Sequence, residues 1–552
     1  MTELRRRSTG IPSLNSCSTT FFAKNIEYDD SCEVVDQQQQ QQQLGFFQFD
    51  SLQYASTHWR NKQMMHQQDE HNNINEPQVI SHFGSHVNFT SSYHYTADEL
   101  EPYRMIGDVE MDALLDYLAE QKSCGAFDDV IAFCEEAYHQ LKCETELHGT
   151  VRGANDDVVL PAKFYQHYQR IPPWVDWEQI QRGIDIFLAY LPAAGCALYY
   201  RSLIGGFSIP KIVEVLIATR YLVPASMRQN QMKDVQSTDE VGNEECSDDD
   251  RKRTFERLMD TGGFMACCFA PPQQKQSRPP LAAAALRPRE IGWKAALRVR
   301  VLHAKVRRSL LRSKSWNMKN GIPINQEDMA ATLLAFSVNV LLGIEYIAGR
   351  PLSEEDQRDY LALWRYLGWL LGVDTPEEGG SSNTTEGQRL PPIDPCGLNK
   401  NCDRQASKKD AILHSYATLE SMILHLLHPT IESRQLVYHL LSFNGRVQFR
   451  SDMCRKFLGD PLSDNLGIAN RSTGTTRCTV YSVLVFLRCY TLLAMTFPRI
   501  RQTFIQWHGA FYKRFLRAWQ RNHDKRVGDA MGREGAVKKS CPFSMLMPPV
   551  DS

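Results

Sequence analysis

Three polar side chains, Arg300, His303 and Arg307, recur on one face of an otherwise apolar helical stretch within the segment Gly292 to Asp328. At about 100° per residue they fall within roughly 60° of one another, and Val299, Leu302, Val306 and Leu310 form an apolar stripe about 100° further round. A helix that turns an imidazole and two guanidiniums inward must meet something anionic or metallic, because unpaired charge is costly to bury. A ring nitrogen of imidazole can also ligate a metal. Taken alone, a histidine on a helix is more often a satisfied core or surface residue.

A second polar constellation lies upstream, in RKRTFERLMDTGGFMACCF, where Arg257, Asp260 and Thr261 share one helical face. Downstream, INQEDMAATLLAFSVNVLLGIEYIAG reads as a helix started by Asn325 or by the Asp328 turn, and it carries Thr332. PLSEEDQRDYLALWRYLGWLLGV follows as an amphipathic helix begun by Ser353, with Asp356 three residues on.

The RxxHAxxR spacing followed by GIPINQED resembles the haem-binding helix of the latex-clearing-protein (rubber oxygenase) family and its fungal ER-bound relatives from mycophenolic acid synthesis. WVDW, the SLxGGF turn, YLALWRxxGxLLG and LGDPLSDNLGI are similar to further stretches of that family, so the resemblance runs from Pro172 to Gly467. It implies an all-α fold, a single large helical bundle enclosing haem b. His303 is then the proximal iron ligand, with Arg300 and Arg307 as propionate or structural partners. Arg257 and Thr261 stand on the opposing helix, and Thr332 on the side of the family's distal threonine. Asp260 stands where the bacterial enzymes carry a lysine, which implies a distal position that is open or gated differently. The implied reaction uses dioxygen as co-substrate to cleave a carbon–carbon double bond in an apolar substrate such as an isoprenoid. Two other classes stay open: a haem-binding sensor or carrier, and a helical interaction protein that has lost haem. Neither GxSxG nor GxxxxGK[ST] occurs, which removes serine hydrolase and P-loop readings.

The elements that must position these residues follow from composition. Residues 1–95 are rich in Ser, Asn, Gln and His, include the run Gln37 to Gln43, and read as disordered apart from an aromatic patch at Phe46, Phe47 and Phe49. Residues 96–160, opened by Thr96 with Glu99 three residues on, read as a helical extension packed on the core. Residues 161–527 form the helical catalytic domain, with loop insertions at 228–250, 270–290 and 374–407, and 528–552 are tail. Within it, residues 479–497 carry only Arg488 as a charge and suit either a membrane or a core helix. The basic, aromatic segment that follows, with Trp507, Phe511 and Phe515, suits either a membrane-surface helix or a solvated helix covering the core.

A net charge of −2 over 552 residues argues against a globally basic nucleic-acid binder, and the run Arg307, Arg308, Arg312 and Lys314 is more simply a helix end favoured by its dipole. Fifteen cysteines without a CxxC match neither a disulfide framework nor a zinc site, so reduced thiols are expected. No apolar run follows Arg5 to Arg7, so no signal peptide is expected. The expected location is intracellular, either cytoplasmic or at the ER membrane.

Overall fold

Side-chain caps start the helices at the places the sequence marks for them. Thr96 accepts the Glu99 amide while Glu99 reaches back to the Thr96 amide, Asn325 and Asp328 repeat the arrangement, and Ser353 accepts from Asp356. Each such cap satisfies an orphan donor of the first turn and contributes about 1 kcal/mol. In the computed structural model the described residues are 78–90, 93–121, 129–148, 156–224, 247–271, 281–313, 316–373, 393–397, 408–470 and 473–531. All lie in the second of two units, Phe49–Ser552.

The fold is all-α apart from one antiparallel hairpin of β1 (Gln78–His82) and β2 (Ser85–Phe89), which pairs Gln78 with Phe89 and His82 with Ser85. The helices named below are α1 (Val109–Glu120), α2 (Val130–His148), α3 (Asp156–Gln169), α4 (Trp177–Ala189), α5 (Leu191–Cys196), α6 (Pro210–Ala218), α7 (Asp248–Phe269), α8 (Ile291–Arg312), α9 (Gln326–Phe336), α10 (Val338–Ala348) and α11 (Glu354–Leu371). They continue with α12 (Lys408–Leu426), α13 (Ile431–Ser442), α14 (Val447–Leu458), α15 (Asp460–Asn465), α16 (Gly474–Thr496) and α17 (Pro498–Met531). One hydrophobic core runs through them from Tyr95 to Trp519. α4 and α11 approach so closely that a Cβ on Gly183 would lie 2.5 Å from the Asp359 carbonyl oxygen. Trp293 anchors α8 at the centre, fully buried and donating its indole N–H to the Tyr168 carbonyl of α3 at 3.1 Å.

Several boundaries differ from the sequence expectation. The hairpin lies inside the stretch read as disordered, and it is held to the body: Val87 is buried and His82 Nε2 donates to the Leu427 carbonyl at 3.0 Å. The glutamine run and the phenylalanine patch lie outside the described residues. Of the three loop insertions, each contributes ordered structure at an edge. Ser247 caps α7, so Asp248, Asp249 and Asp250 form its first turn, where the helix dipole favours acids. Leu286 is buried, and Asp394 is buried against Arg365, whose Nε and Nη2 reach it at 2.9 and 2.6 Å. The stretch read as tail begins inside α17, which continues to Met531.

α16 and α17 each pack on the body along one face and leave the other exposed. α16 buries Leu484, Leu487 and Arg488 against the body and leaves its outer face exposed. α17 covers the core with Phe504, Tyr512, Leu516 and Trp519, whereas Trp507 and Phe511 point to solvent.

Candidate functional site

The anions that receive the arginines of α8 come from the protein itself. Asp108, the N-cap of α1, accepts Arg300 Nε at 2.5 Å and Nη2 at 2.7 Å, and Glu110 takes a third bond from Nη2 at 3.1 Å. One turn further, Asp112 accepts Arg307 Nε at 2.7 Å and Nη2 at 3.0 Å, while the Ile324 carbonyl accepts Nη1 at 2.8 Å. Asp116 pairs with Arg308. The Arg300 guanidinium also lies over the Tyr168 ring, 4.6 Å from its centre. These bonds engage Nε and Nη2 of both Arg300 and Arg307, while Arg300 Nη1 is buried without a hydrogen bond. Bidentate pairing of this kind fixes the helix rotation as well as its position.

The GIPINQED stretch closes the network. The Gln326 side chain donates to the carbonyls of Gly107 at 3.0 Å and Gly372 at 2.9 Å, and its amide donates to Ile106 at 2.8 Å. Glu327, fully buried, takes Arg104 at 2.9 Å and Lys211 of α6, and Lys211 also faces Asp328 at 2.7 Å. The segment carrying Asp108 is thereby tied to the N-terminus of α9 on one side and to α8 on the other.

His303 sits beside this scaffold and is the member of the triplet left without a partner. Its Nδ1 is buried with no hydrogen bond. Burial first, and the Arg307 cation second, push its pKa down to about 4, against a smaller opposing pull from Asp108. The imidazole is therefore neutral near pH 7, the form in which it can ligate a metal. Because the folded-state pKa lies below the ordinary 6.5, the unfolded chain takes up the proton first. Stability is complete above pH 6.5 and falls as the pH drops toward 4, by up to about 3 kcal/mol from this group. Urea unfolding at pH 7, 5.5 and 4.5 should show that loss, and His303→Leu should lose less over the same range.

The partner face is set by close packing of α7 on α8. A Cβ on Gly292 would meet the Cys267 carbonyl oxygen and the Cys268 Cα, each at 2.9 Å, so the end of α7 lies on the start of α8 and the pair runs antiparallel. Stepping from Cys268 through Phe264 and Thr261 to Arg257 follows one stripe of α7. Equal steps from Gly292 through Ala296 and Val299 reach His303 along one stripe of α8. Arg257 and Thr261 thus lie on one stripe of α7 and His303 on one stripe of α8, toward the ends of the two helices away from the Gly292 contact: all three are half-buried, whereas Cys268, Phe264, Gly292 and Ala296 are buried. Arg257 lies over the Tyr221 ring at 4.3 Å and keeps Nη1 buried without a hydrogen bond. Thr261 Oγ1 donates weakly to the Arg257 carbonyl at 3.4 Å. Beyond Arg257 the stripe opens into a small cleft lined also by Arg220, Leu222, Asp250 and Thr254.

Two residues stand apart from those stripes. Asp260 is buried on another stripe of α7 and accepts the Trp519 indole N–H at 3.2 Å, so its position opposite the bacterial lysine serves α17 packing. Thr332 is exposed on α9 and donates to its own helix at Asp328 O, 2.8 Å away. Among the described residues no hydrogen bond joins Thr332 to His303, Arg257 or Thr261. Sequence reasoning missed Asp108, Glu110, Asp112 and Lys211. The acids at 108, 112 and 116, spaced one turn apart, were a legible signal of a charged face, but their partners on α8 lie 192 and 195 residues away.

Residues 222–489 match the family described as ER-bound oxygenase mpaB/B'/Rubber oxygenase, catalytic domain. No curated protein matches the chain. Among solved structures it is similar to latex clearing protein in the closed state, at 18% identity and a TM-score of 0.43, over 76% of this chain and 90% of that one.

Proposed function

We propose that this protein is a haem-dependent oxygenase that cleaves a carbon–carbon double bond in an apolar substrate, a reading supported by the match of residues 222–489 to the ER-bound oxygenase mpaB/B' and rubber oxygenase catalytic-domain family. The observation that supports this reading is the His303 imidazole, neutral and with its buried Nδ1 unpartnered, on a helix against which the helix of Arg257 and Thr261 packs. Among the described residues no group of three or more His, Cys, Asp or Glu side chains is placed to hold a bare metal ion. A single histidine suits a prosthetic group that brings its remaining iron ligands with it.

Bound at His303, haem b would supply the iron chemistry that activates dioxygen. The chain's own contribution is positional and electrostatic. The Asp108–Arg300 and Asp112–Arg307 pairs hold α8 in one rotation, so the imidazole is presented without rearrangement. Arg257, with an N–H still to give, and the loosely held Thr261 hydroxyl are the donors for a polar atom entering between α7 and α8. Thr332 is the further donor proposed from α9. For the apolar substrate, isoprenoids being the class we favour, the described residues offer a cleft lined by Phe83, Ile209, Met422, Leu427, Leu458 and Leu462. Ala331 and Ala335, which flank Thr332 on α9, form part of its wall.

The purified protein should show a Soret band that shifts on reduction with dithionite, and it should consume dioxygen when given an isoprenoid olefin. His303→Ala should lose the Soret band while keeping its helical circular dichroism. An unchanged band in that variant would overturn the ligand assignment. A retained band without dioxygen uptake would instead leave a haem carrier.

A further inference from the structure

From Gly474 to Asn522 the chain carries eight Lys and Arg residues and no Asp or Glu, within a protein of net charge −2. Two of the eight are spent internally: Arg488 donates to the Ile347 carbonyl at 2.9 Å, and Arg501 pairs with Asp356 at 2.8 Å. Arg499, Arg514, Arg517 and Arg521 are exposed, and among the residues whose side chains are described no carboxylate pairs with Arg499, Arg514 or Arg517. Trp507, Phe511, Arg514 and Arg521 fall on one face of α17, and Phe486, Leu493 and Phe497 on one face of α16.

These two faces form one surface. Phe486 is 64% exposed and Trp507 65% exposed, and a chain of rings joins them across the helix pair. Phe486 lies 6.3 Å from Tyr490, Tyr490 stacks on Phe504 at 4.0 Å, and Phe504 lies 6.0 Å from Trp507. Phe497 and Phe511, 51% and 54% exposed, extend the patch. Large rings left in water next to unpaired cations are the pattern of a helix lying in a bilayer interface, rings among the acyl chains and cations at the headgroup phosphates.

The alternative of spanning is disfavoured by how α16 is held. Its sequence is apolar enough to cross a membrane, but a third of that window is buried inside the protein, with Arg488 fastened to α10. A helix packed on the body along one face can offer only the other face to lipid.

We propose that the outer face of α16 and α17 docks flat on an anionic bilayer surface. This inference is independent of the oxygenase reading, since it uses none of the residues of α7 or α8. The test is co-sedimentation of the full-length protein with phosphatidylcholine vesicles, with and without phosphatidylserine. Binding should require phosphatidylserine and weaken as salt is raised. Brominated lipid should quench part of the tryptophan emission, and Trp507→Phe should remove that part while the protein still sediments. Trp507→Glu with Phe511→Glu should weaken binding at least tenfold, without changing the circular dichroism. Should that pair unfold, Arg514→Glu with Arg517→Glu supplies the same readout. The proposal is overturned if the protein stays in the supernatant, if Trp507→Phe leaves quenching unchanged, or if the face instead closes a dimer that Trp507→Glu dissociates.

Discussion

Asp108→Ala is expected to destabilise the protein by about 3–5 kcal/mol, the cost of leaving one half of a buried ion pair without its partner. Arg300 and Asp108 are each 3% exposed, so water cannot take over when the carboxylate is removed. Glu110 remains near Arg300, but its carboxylate is about half exposed, is shared with the Tyr168 hydroxyl and engages only Nη2 of the guanidinium. The same substitution removes the N-cap acceptor of Met111 and so weakens the first turn of α1. Urea midpoints of the wild type, Asp108→Ala, Arg300→Met and the double variant separate these contributions. The double variant should recover part of the loss, because removing both charges leaves neither stranded. Strict additivity would show that the pair contributes nothing beyond its two desolvated groups.

Lys211→Met should cost a similar amount, for the reverse reason. Lys211 stands between Glu327 and Asp328, both buried, and Arg104 alone would then face Glu327. Burial already raises the Asp328 carboxyl above its usual range, and Lys211 is the main group that lowers it. Without the lysine, that carboxyl binds its proton at a higher pH in the folded protein than in the unfolded chain. Folding then takes up a proton, so the deficit of the variant should be greatest at pH 7 and above and shrink as the pH falls. Unfolding midpoints at pH 5 and pH 8 give the comparison. Adding Glu327→Gln to Lys211→Met should restore part of the pH 8 loss. A deficit independent of pH would mean that the lysine acts through its packed stem instead of its charge.

Both predictions concern residues on which the candidate site depends without their touching it. His303 could be singled out from its spacing to Arg300 and Arg307 and from the motif around it. Helix periodicity is a local property, and it carries the three side chains to one face whatever else the chain does. Arg257 and Thr261 were readable for the same reason, as neighbours on one helical stripe. What they face was not readable. The carboxylates of Asp108 and Asp112 reach Arg300 and Arg307 only after α1 has folded back across α8.

Asp260 shows the converse. By position in the motif it belonged to the wall opposite the histidine, yet about 100° round the helix from Thr261 it accepts the Trp519 indole N–H. Its side-chain direction depends on where α17 lies, and nothing near residue 260 encodes that. The hairpin at Gln78–Phe89 is likewise invisible to composition, because the surrounding polar sequence hides two short strands that gain stability only by packing on the body.

The sequence by itself determined the helical class, the caps at Thr96, Asn325 and Ser353, and the likeness of its central segment to the rubber oxygenase family, since each is written in residues within a few turns of one another. Only the tertiary structure decided that α8 is clamped by acids of α1, that Lys211 is enclosed by the NQED turn, and that Trp507 and Phe486 share one outward surface. Those outcomes depend on contacts between segments far apart in the chain. Such contacts are selected by the packing of the whole core, which no local pattern specifies.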